Sequence, residues 1–424
     1  MYFRFKHLVF PVGKPCNLVV EPTSPVTVDA GKTYELHLSP FSGLRRYGLR
    51  NAQYVPTEQD DIFFAQTHTL AVEGSVLKMT ITFPQEDCYI CTLMIDGEKT
   101  ETLELYALES DLFALNPYKG DNHLHTWHSD GKDSPMYMAA AACHLGYDYC
   151  VITDHKKYEP SLIARDFFAK TGVDFLVIPG EEVHSPDNPV HLINLGGRES
   201  VNDWWRDHEA EYRAAVEEQL KHMPEPMLEK DRYAAAASQV MFDRIRSVDG
   251  VSILCHPQWI IPHGFNEHED ITDYLFDHRR FDVLELIAGG AYEVGTQMQL
   301  SYYQGCETMP IVGSSDSHAC FGGRLEPGNF TIVFAQKLDA ASVKHALRAG
   351  RSVAGNANKL YGDYRLVKYA YFLLRHYYPH HSKQRFSLGA QMLRMASSLG
   401  EVPDALEKLA SPRPSEEFAP LRYK

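Results

Sequence analysis

The fold class this sequence predicts is α/β: a barrel of parallel βα units behind an all-β sandwich domain. Three observations predict it. Continuous apolar strands alternate with amphipathic helices through the middle of the chain, short alternating strands without helical period occupy the first 115 residues, and ligand-type side chains gather where the middle strands end.

The 424 residues, 44% hydrophobic and 23% charged, are enough for two or three domains with buried cores. Lys+Arg number 41 against 56 Asp+Glu, a formal net charge of -15, which disfavours a broad nucleic-acid-binding face. No stretch reaches the ~18 uninterrupted apolar residues of a membrane span. Charge also breaks the short apolar run at the N-terminus, a poor signal peptide. The expectation is a soluble, cytoplasmic protein with no membrane partner. Eight Cys in such a length form no disulfide framework, and the Cys88/Cys91 pair sits in strand-like text that reads as structural.

Residues 1–115 carry the runs CNLVVE, TYELHLS, LKMTITF, YICTLMI and TLELYAL between Pro, Gly and Asp signals. That is the text of a β-sandwich. Its boundary is expected at the turn-like NPYKGDN. Residues 116–356 then hold seven strand candidates: DYCVITD, DFLVIPG, VHLINLG, VSILCHP, FDVLELI, MPIVGSS and NFTIVFA. Helical text separates several of them, notably MYMAAAACHLGY, LIARDFFAKTG and residues 209–249. About seven units with polar residues at strand ends fit a barrel better than an open doubly wound sheet. Residues 357–424 read as a short helical C-terminal extension with a frayed tail. From residue 359 on they carry eleven Lys+Arg against six Asp+Glu, which leaves contact with an anionic surface as the alternative to simple packing.

The chemistry starts at GDNHLHTWHSDG. His123 and His125, two apart, share one face of a strand and can reach one metal cluster, and Asp130 follows in a turn. The next strand ends in Asp154-His155, and the one after it in Glu181-Glu182, where a carboxylate can bridge two cations. His191 opens HLINLG, His256 sits in ILCHP, and Asp316 and His318 form a second pair two apart. Six histidines and three carboxylates at the ends of separate strands are better explained by one shared site than by scattered structural histidines. Mixed imidazole and carboxylate ligation without thiolate suits Mn, Fe or Zn.

In their order, H-x-H with T-x-x-S-D-G, T-D-H, G-x-E, H-L-I-N-L-G, C-H-P and G-S-S-D-S-H resemble the PHP (polymerase and histidinol phosphatase) superfamily, over roughly residues 120–355. The resemblance implies a distorted, TIM-like (β/α)7 barrel with two or three divalent metal ions (Mn, Fe or Zn) at the strand C-termini. By motif position the ligands are His123, His125, Asp130, His155, Glu182, His191, His256, Asp316 and His318. Glu182 is preferred to Glu181 because the pattern counts from Gly180, and His184 competes with His191. An N-terminal β domain joined to such a barrel resembles the carbaryl-hydrolase-like group. One departure is Ala288, where relatives often carry Asn.

The function expected is that of a metal-dependent hydrolase. The first choice is a phosphoesterase acting on a small phosphorylated metabolite or nucleotide, with a metal-bridged hydroxide as nucleophile. Asp154 is expected to orient an imidazole, His263 to serve as leaving-group acid, and Lys156, Lys157 and Arg324 to clamp an anion. Trp127 and Trp259 would wall the pocket. The alternatives are a carbamate or carboxylic ester hydrolase and a binding module with a vestigial site. The expected partner is an anionic small-molecule substrate rather than a nucleic-acid polymer, with homo-oligomerisation left open.

Overall fold

In the computed structural model the described residues are 2–42, 48–50, 53–55, 66–224, 227–289, 295, 298–300, 303, 309–322, 324–325, 328–397 and 414–423. Two compact units are present: Met1–Asn116 with Ser415–Lys424, and Pro117–Pro414.

The first unit is a sandwich of antiparallel-dominated sheets. One sheet has four strands, in the order Phe3–Phe5, Pro15–Pro22, Val76–Thr82 and Ala71–Glu73. The other has five, in the order Val9–Pro11, Glu98–Leu108, Asp87–Ile95, Tyr34–Pro40 and Gln66–Thr69. Period-two alternation in the sequence sends Leu18, Val20, Leu36, Leu38, Leu77, Ile81, Leu93 and Leu105 into one core. Cys88 and Cys91 are both buried in the strand Asp87–Ile95, three apart and so on opposite faces.

The tail departs from expectation. Residues 415–423 belong to this same unit instead of fraying: Leu8 N–H donates to Leu421 O at 2.6 Å, Tyr423 N–H donates to Val9 O at 2.7 Å, and the Tyr423 and Phe10 rings stack 5.4 Å apart. Apolar Leu421 and Tyr423 override the Pro-rich composition that suggested disorder.

The second unit is mixed α/β, and all seven strand candidates of the middle region are strands. The segment NPYKGDN is a strand as well, Asn116–Leu124, although its Pro, Gly and Asn suggested a turn. Gly120 is required there because a Cβ would fall 2.3 Å from the Tyr149 ring. Among the described residues the strands form two main sheets and a two-stranded hairpin rather than one uninterrupted parallel barrel, with isolated bridges at Leu124–Ser317 and His155–Glu182 joining the two main sheets. Six strands run in the order Leu176–Ile178, Tyr149–Ile152, Asn116–Leu124, Phe330–Ala335, Ser352–Gly355 and Leu360–Tyr361; five run Gly180–Val183, Leu192–Leu195, Val251–Leu254, Val283–Ala288 and Ile311–Ser314. Several pairs are antiparallel, including Gly180–Val183 with Leu192–Leu195. The connection between those two is too short for the helical crossover that parallel pairing demands.

Helices cover the sheets. Pro135–His144 is almost wholly buried through its alanine run, with Ser134 capping its N-terminus by accepting from Tyr137 N–H. The segment 209–249 splits into Glu209–Leu220 and Glu229–Ser247. The extension forms Tyr364–His376 and Tyr378–Ala396. Tyr369 stacks on Phe334, and His381 and Arg385 reach the buried Asp148 at 2.8 and 3.5 Å, which anchors the extension in this unit. No described helix is long and apolar enough to cross a membrane.

Candidate metal centre

Strand ends aim the polar side chains at one point. His123 closes the strand Asn116–Leu124 and His125 follows it, its backbone N–H donating to Ser317 O. Asp316 and His256, just beyond their strands, adopt left-handed backbone with φ of 47° and 33°. Such conformations cost of order 1–3 kcal/mol and cluster at functional sites, because they aim a side chain that regular backbone would turn away.

Glu182 is the hub. Its Oε2 lies 2.7 Å from His155 Nδ1, 3.3 Å from His125 Nε2 and 3.4 Å from His123 Nε2. Its Oε1 lies 2.7 Å from His191 Nδ1, 3.5 Å from His256 Nε2 and 3.6 Å from His184 Nε2. Each oxygen therefore faces a different set of imidazoles. Asp316 Oδ1 stands 3.1 Å from His125 Nε2 and 3.4 Å from His123 Nε2, while Oδ2 accepts from Arg324 Nη1 at 3.2 Å. Asp130 Oδ2 completes the outer side, 3.2 Å from His318 Nε2 and 3.5 Å from His155 Nε2. All nine residues of the expected ligand set thus converge, and His184 joins His191 rather than replacing it.

The electrostatics fit cations. Burial opposes ionisation of Glu182 and Asp316, but the surrounding imidazoles outweigh it and hold both carboxyls below their usual range. Burial pushes His191 down to about 4 and lowers His125, which keeps both as neutral donors. Both ring nitrogens of His125 and Nδ1 of His191 are buried and make no well-aligned hydrogen bond, although carboxylate oxygens of Glu182 and Asp316 stand 2.7–3.3 Å from His191 Nδ1 and His125 Nε2. A neutral imidazole has a single lone-pair nitrogen, and such a nitrogen facing an ionised carboxylate is costly unless a cation lies between the two. Cys255 lies in the same group, and burial raises its thiol well above the ordinary value.

The remaining expected residues are placed differently. Asp154 touches no imidazole. Its carboxylate accepts from Thr126 N–H and Oγ1 and from Ser129 N–H and Oγ at 2.6–3.1 Å, fixing the turn that carries Asp130. The hydroxyls of Thr126 and Ser129, brought there by folding, capture the carboxylate before it can reach a ring. Glu181 is likewise consumed, bonded by Asn194, Ser200, Asn202 and Val201 N–H. His263 is exposed at the tip of the hairpin Ile260–Ile261/Gly264–Phe265, and no hydrogen bond ties it to the cluster. Lys156 and Lys157 are exposed, and Lys157 Nζ donates to His128 O. Trp127 is also exposed, its backbone bonded to Asp133.

Arg324 and Trp259 do flank the cluster. A part-open cleft beside it is lined by His256, Asp316, Arg324, Trp259, Gln258 and Ala288 among others. Gly289, φ +60°, lets Arg324 approach, since a Cβ there would fall 2.6 Å from Nη1.

Sequence reasoning missed Glu285. Fully buried in the strand Val283–Ala288, it accepts from His256 N–H at 3.1 Å and lies 3.0 Å from His123 Nδ1. A lone carboxylate inside VLELIA was the available signal.

No family model matches the chain. Over 61 residues it is 41% identical to the DNA polymerase/3'-5' exonuclease PolX of Bacillus subtilis, a match covering 14% of this chain and 11% of that protein. Among solved structures, a two-domain protein of Bacteroides vulgatus, described as containing a predicted PHP-like metal-dependent phosphoesterase, aligns at 17% identity with a TM-score of 0.42. That alignment covers 58% of this chain and 67% of the other. An amidohydrolase from Chromobacterium violaceum with bound sulfate aligns at 16% identity and TM-score 0.33, over 47% and 87%.

Proposed function

We propose, for a chain that belongs by its ordered ligand motifs to the PHP superfamily, the function of a metal-dependent hydrolase, and specifically of a phosphoesterase acting on a small phosphorylated metabolite or nucleotide. The observation that supports it is the buried cluster around Glu182, in which His125 Nε2 stands 3.3 Å from Glu182 Oε2 and 3.1 Å from Asp316 Oδ1 without a well-aligned hydrogen bond to either.

His123, His125 and Asp316 would hold one cation, Glu182, His191 and His256 a second, and Asp130, His155 and His318 the outer position. Bound divalent ions supply activation of water and neutralisation of charge on the substrate's oxygens. The chain's own residues do the rest. Glu182, with its two oxygens on different imidazole sets, spaces the sites. Glu285 holds the His123 ring through Nδ1, which leaves Nε2 for the metal. Arg324, fixed by Asp316 at the cavity wall, presents a guanidinium suited to two phosphate oxygens.

Metal analysis of protein purified without chelator should find transition metal, and His125→Ala should abolish turnover of p-nitrophenyl phosphate. Absence of bound metal, or a fully active variant, would overturn the hydrolase reading. Faster turnover of 1-naphthyl acetate than of p-nitrophenyl phosphate would favour the carboxylic ester reading, for which the apolar Trp259, Ile260 and Ala288 lining is the supporting observation.

A further inference from the structure

A sulfur lies against the same carboxylate that gathers the imidazoles. Cys255 follows the strand Val251–Leu254 and is completely buried. Its Sγ stands 3.9 Å from Glu182 Oε1, the oxygen that faces His191 Nδ1 at 2.7 Å and His256 Nε2 at 3.5 Å. Along a regular strand, neighbouring side chains point to opposite faces. The left-handed backbone at His256, φ 33°, breaks that alternation, so Cys255 and His256 reach one oxygen together. The Cys255 N–H donates to His191 O at 3.4 Å, which ties the third partner to the same place. Ligand atoms of Cys255, His123, His256 and Glu285 also fall within 4.8 Å of one another. As packing, the thiol matches the apolar Val151, Ile193 and Val283 of its core; the carboxylate beside it gives the sulfur a second use.

We propose that Cys255 Sγ is a further ligand of the cation held by Glu182, His191 and His256, and that it makes this position thiophilic. The inference rests on the metal-dependent reading of the cluster, not on which ester is cleaved. Cys255 lies outside the nine ligands assigned by motif, which include His256 and pass over the residue before it. Tetrahedral zinc takes sulfur at ~2.3 Å and nitrogen or oxygen at ~2.0–2.2 Å. Such bonds set S and O about 3.6 Å apart, and N and O about 3.4 Å apart. The Cys255 and His256 separations of 3.9 and 3.5 Å from Glu182 Oε1 are close to both. The His191 contact is shorter and has to open by about 0.7 Å. One sulfur, two imidazoles and one carboxylate make a full tetrahedral set. Burial of Cys255 is no obstacle, because Glu182 is buried as completely and the His256 side chain, 12% exposed, faces the cleft. As an ion enters, the thiol proton leaves to solvent and the sulfur binds as thiolate. Thiolate favours zinc over manganese or magnesium, which prefer oxygen donors. Cys255 thus sets which metal this position keeps.

Cobalt reports sulfur ligation without any substrate. The full chain, stripped with chelator and titrated with Co2+, should show a strong near-ultraviolet sulfur-to-cobalt charge-transfer band beside the weaker visible bands of bound cobalt. Cys255→Ser should lose the ultraviolet band and still bind cobalt, since the imidazoles and carboxylates remain. Cys255→Ala, which adds no bulk, should do the same, and far-ultraviolet circular dichroism checks the fold of both. In dialysis against equal Zn2+ and Mn2+, the preference of the wild type for zinc should fall roughly tenfold or more in either variant. Cobalt bound by the wild type without the ultraviolet band would overturn the inference with no variant needed, and the metal-dependent hydrolase reading would survive that result. A band that persists in both variants would overturn it as well. A wild type that binds no cobalt at all would sink the metal-dependent reading and this inference together.

Discussion

Glu285 Oε1 lies 3.0 Å from His123 Nδ1, and both groups are completely buried. The other carboxylate oxygen takes the backbone N–H of His256, so one side chain sets a ring and a backbone segment that enter the cluster from different strands. Glu285→Gln keeps the shape and loses the charge. We expect metal affinity or turnover to fall by ~10–100-fold, with the fold intact. Metal content after dialysis against graded chelator, beside a far-ultraviolet circular dichroism spectrum, checks this.

Removing metal should destabilise the second unit. Its interior holds Glu182, Asp316 and imidazoles with orphaned nitrogens, a set stable only when a cation pairs with it. A ligand at 100 times its Kd adds about 2.7 kcal/mol. Chelator should therefore lower the unfolding transition by several degrees, and Mn2+ or Zn2+ should restore it. A melting curve indifferent to chelator contradicts the expectation.

Arg324→Ala should raise KM for phosphate esters by roughly tenfold or more, as expected for loss of a charged hydrogen bond. Turnover of 1-naphthyl acetate should change far less. Parallel kinetics on the two substrates, with metal content measured because Asp316 loses its partner, separate the outcomes.

Burial pushes the Glu267 carboxyl well above the ordinary range, with the Thr272 hydroxyl at 3.4 Å as its partner. A folded value above the unfolded ~4.3 means the folded state keeps a proton that the unfolded chain releases. Stability from this group is present at acid pH and is lost as pH rises toward the folded value. Glu267→Gln should match the wild type near pH 4 and exceed it at pH 8 by about 1 kcal/mol or more, since a tenfold difference in proton affinity between the two states is worth about 1.4 kcal/mol. Urea denaturation at the two pH values reads it directly.

Asp148 is the opposite case. Burial would raise it, yet His381 and Arg385 hold it below its ordinary value. Its contribution is present above about pH 4 and is lost as pH falls through the depressed folded value. Asp148→Ala should cost about 3–5 kcal/mol at pH 7 because it strands the buried Arg385 guanidinium and leaves the buried His381 ring without its carboxylate partner. That difference should shrink in acid, as measured by denaturation of wild type and variant side by side.

Much of this was legible in the sequence because a strand end is a local signal. An apolar run followed at once by His or Asp announces both the element and the position of the side chain, as at His155, His256 and Asp316. Glu285 escaped because its partner His123 is 162 residues away and only folding brings them together. Asp154 misleads for a related reason: its hydroxyl partners at Thr126 and Ser129 lie on another strand's turn. Strand direction was illegible too, since an apolar run reads the same whether its neighbour is parallel or antiparallel.

The chain leaves the first unit after Asn116 and re-enters it at Ser415. The unit that carries the candidate metal centre is thus a guest spliced into a host. During synthesis, which proceeds from the N-terminus, the guest has all of its residues before the host has its last ones, because Leu421 and Tyr423 must still emerge to meet Leu8 and Val9. The β-sandwich begins before the guest and is completed after it, so a defect in residues 415–424 should leave an incomplete host with the guest already assembled.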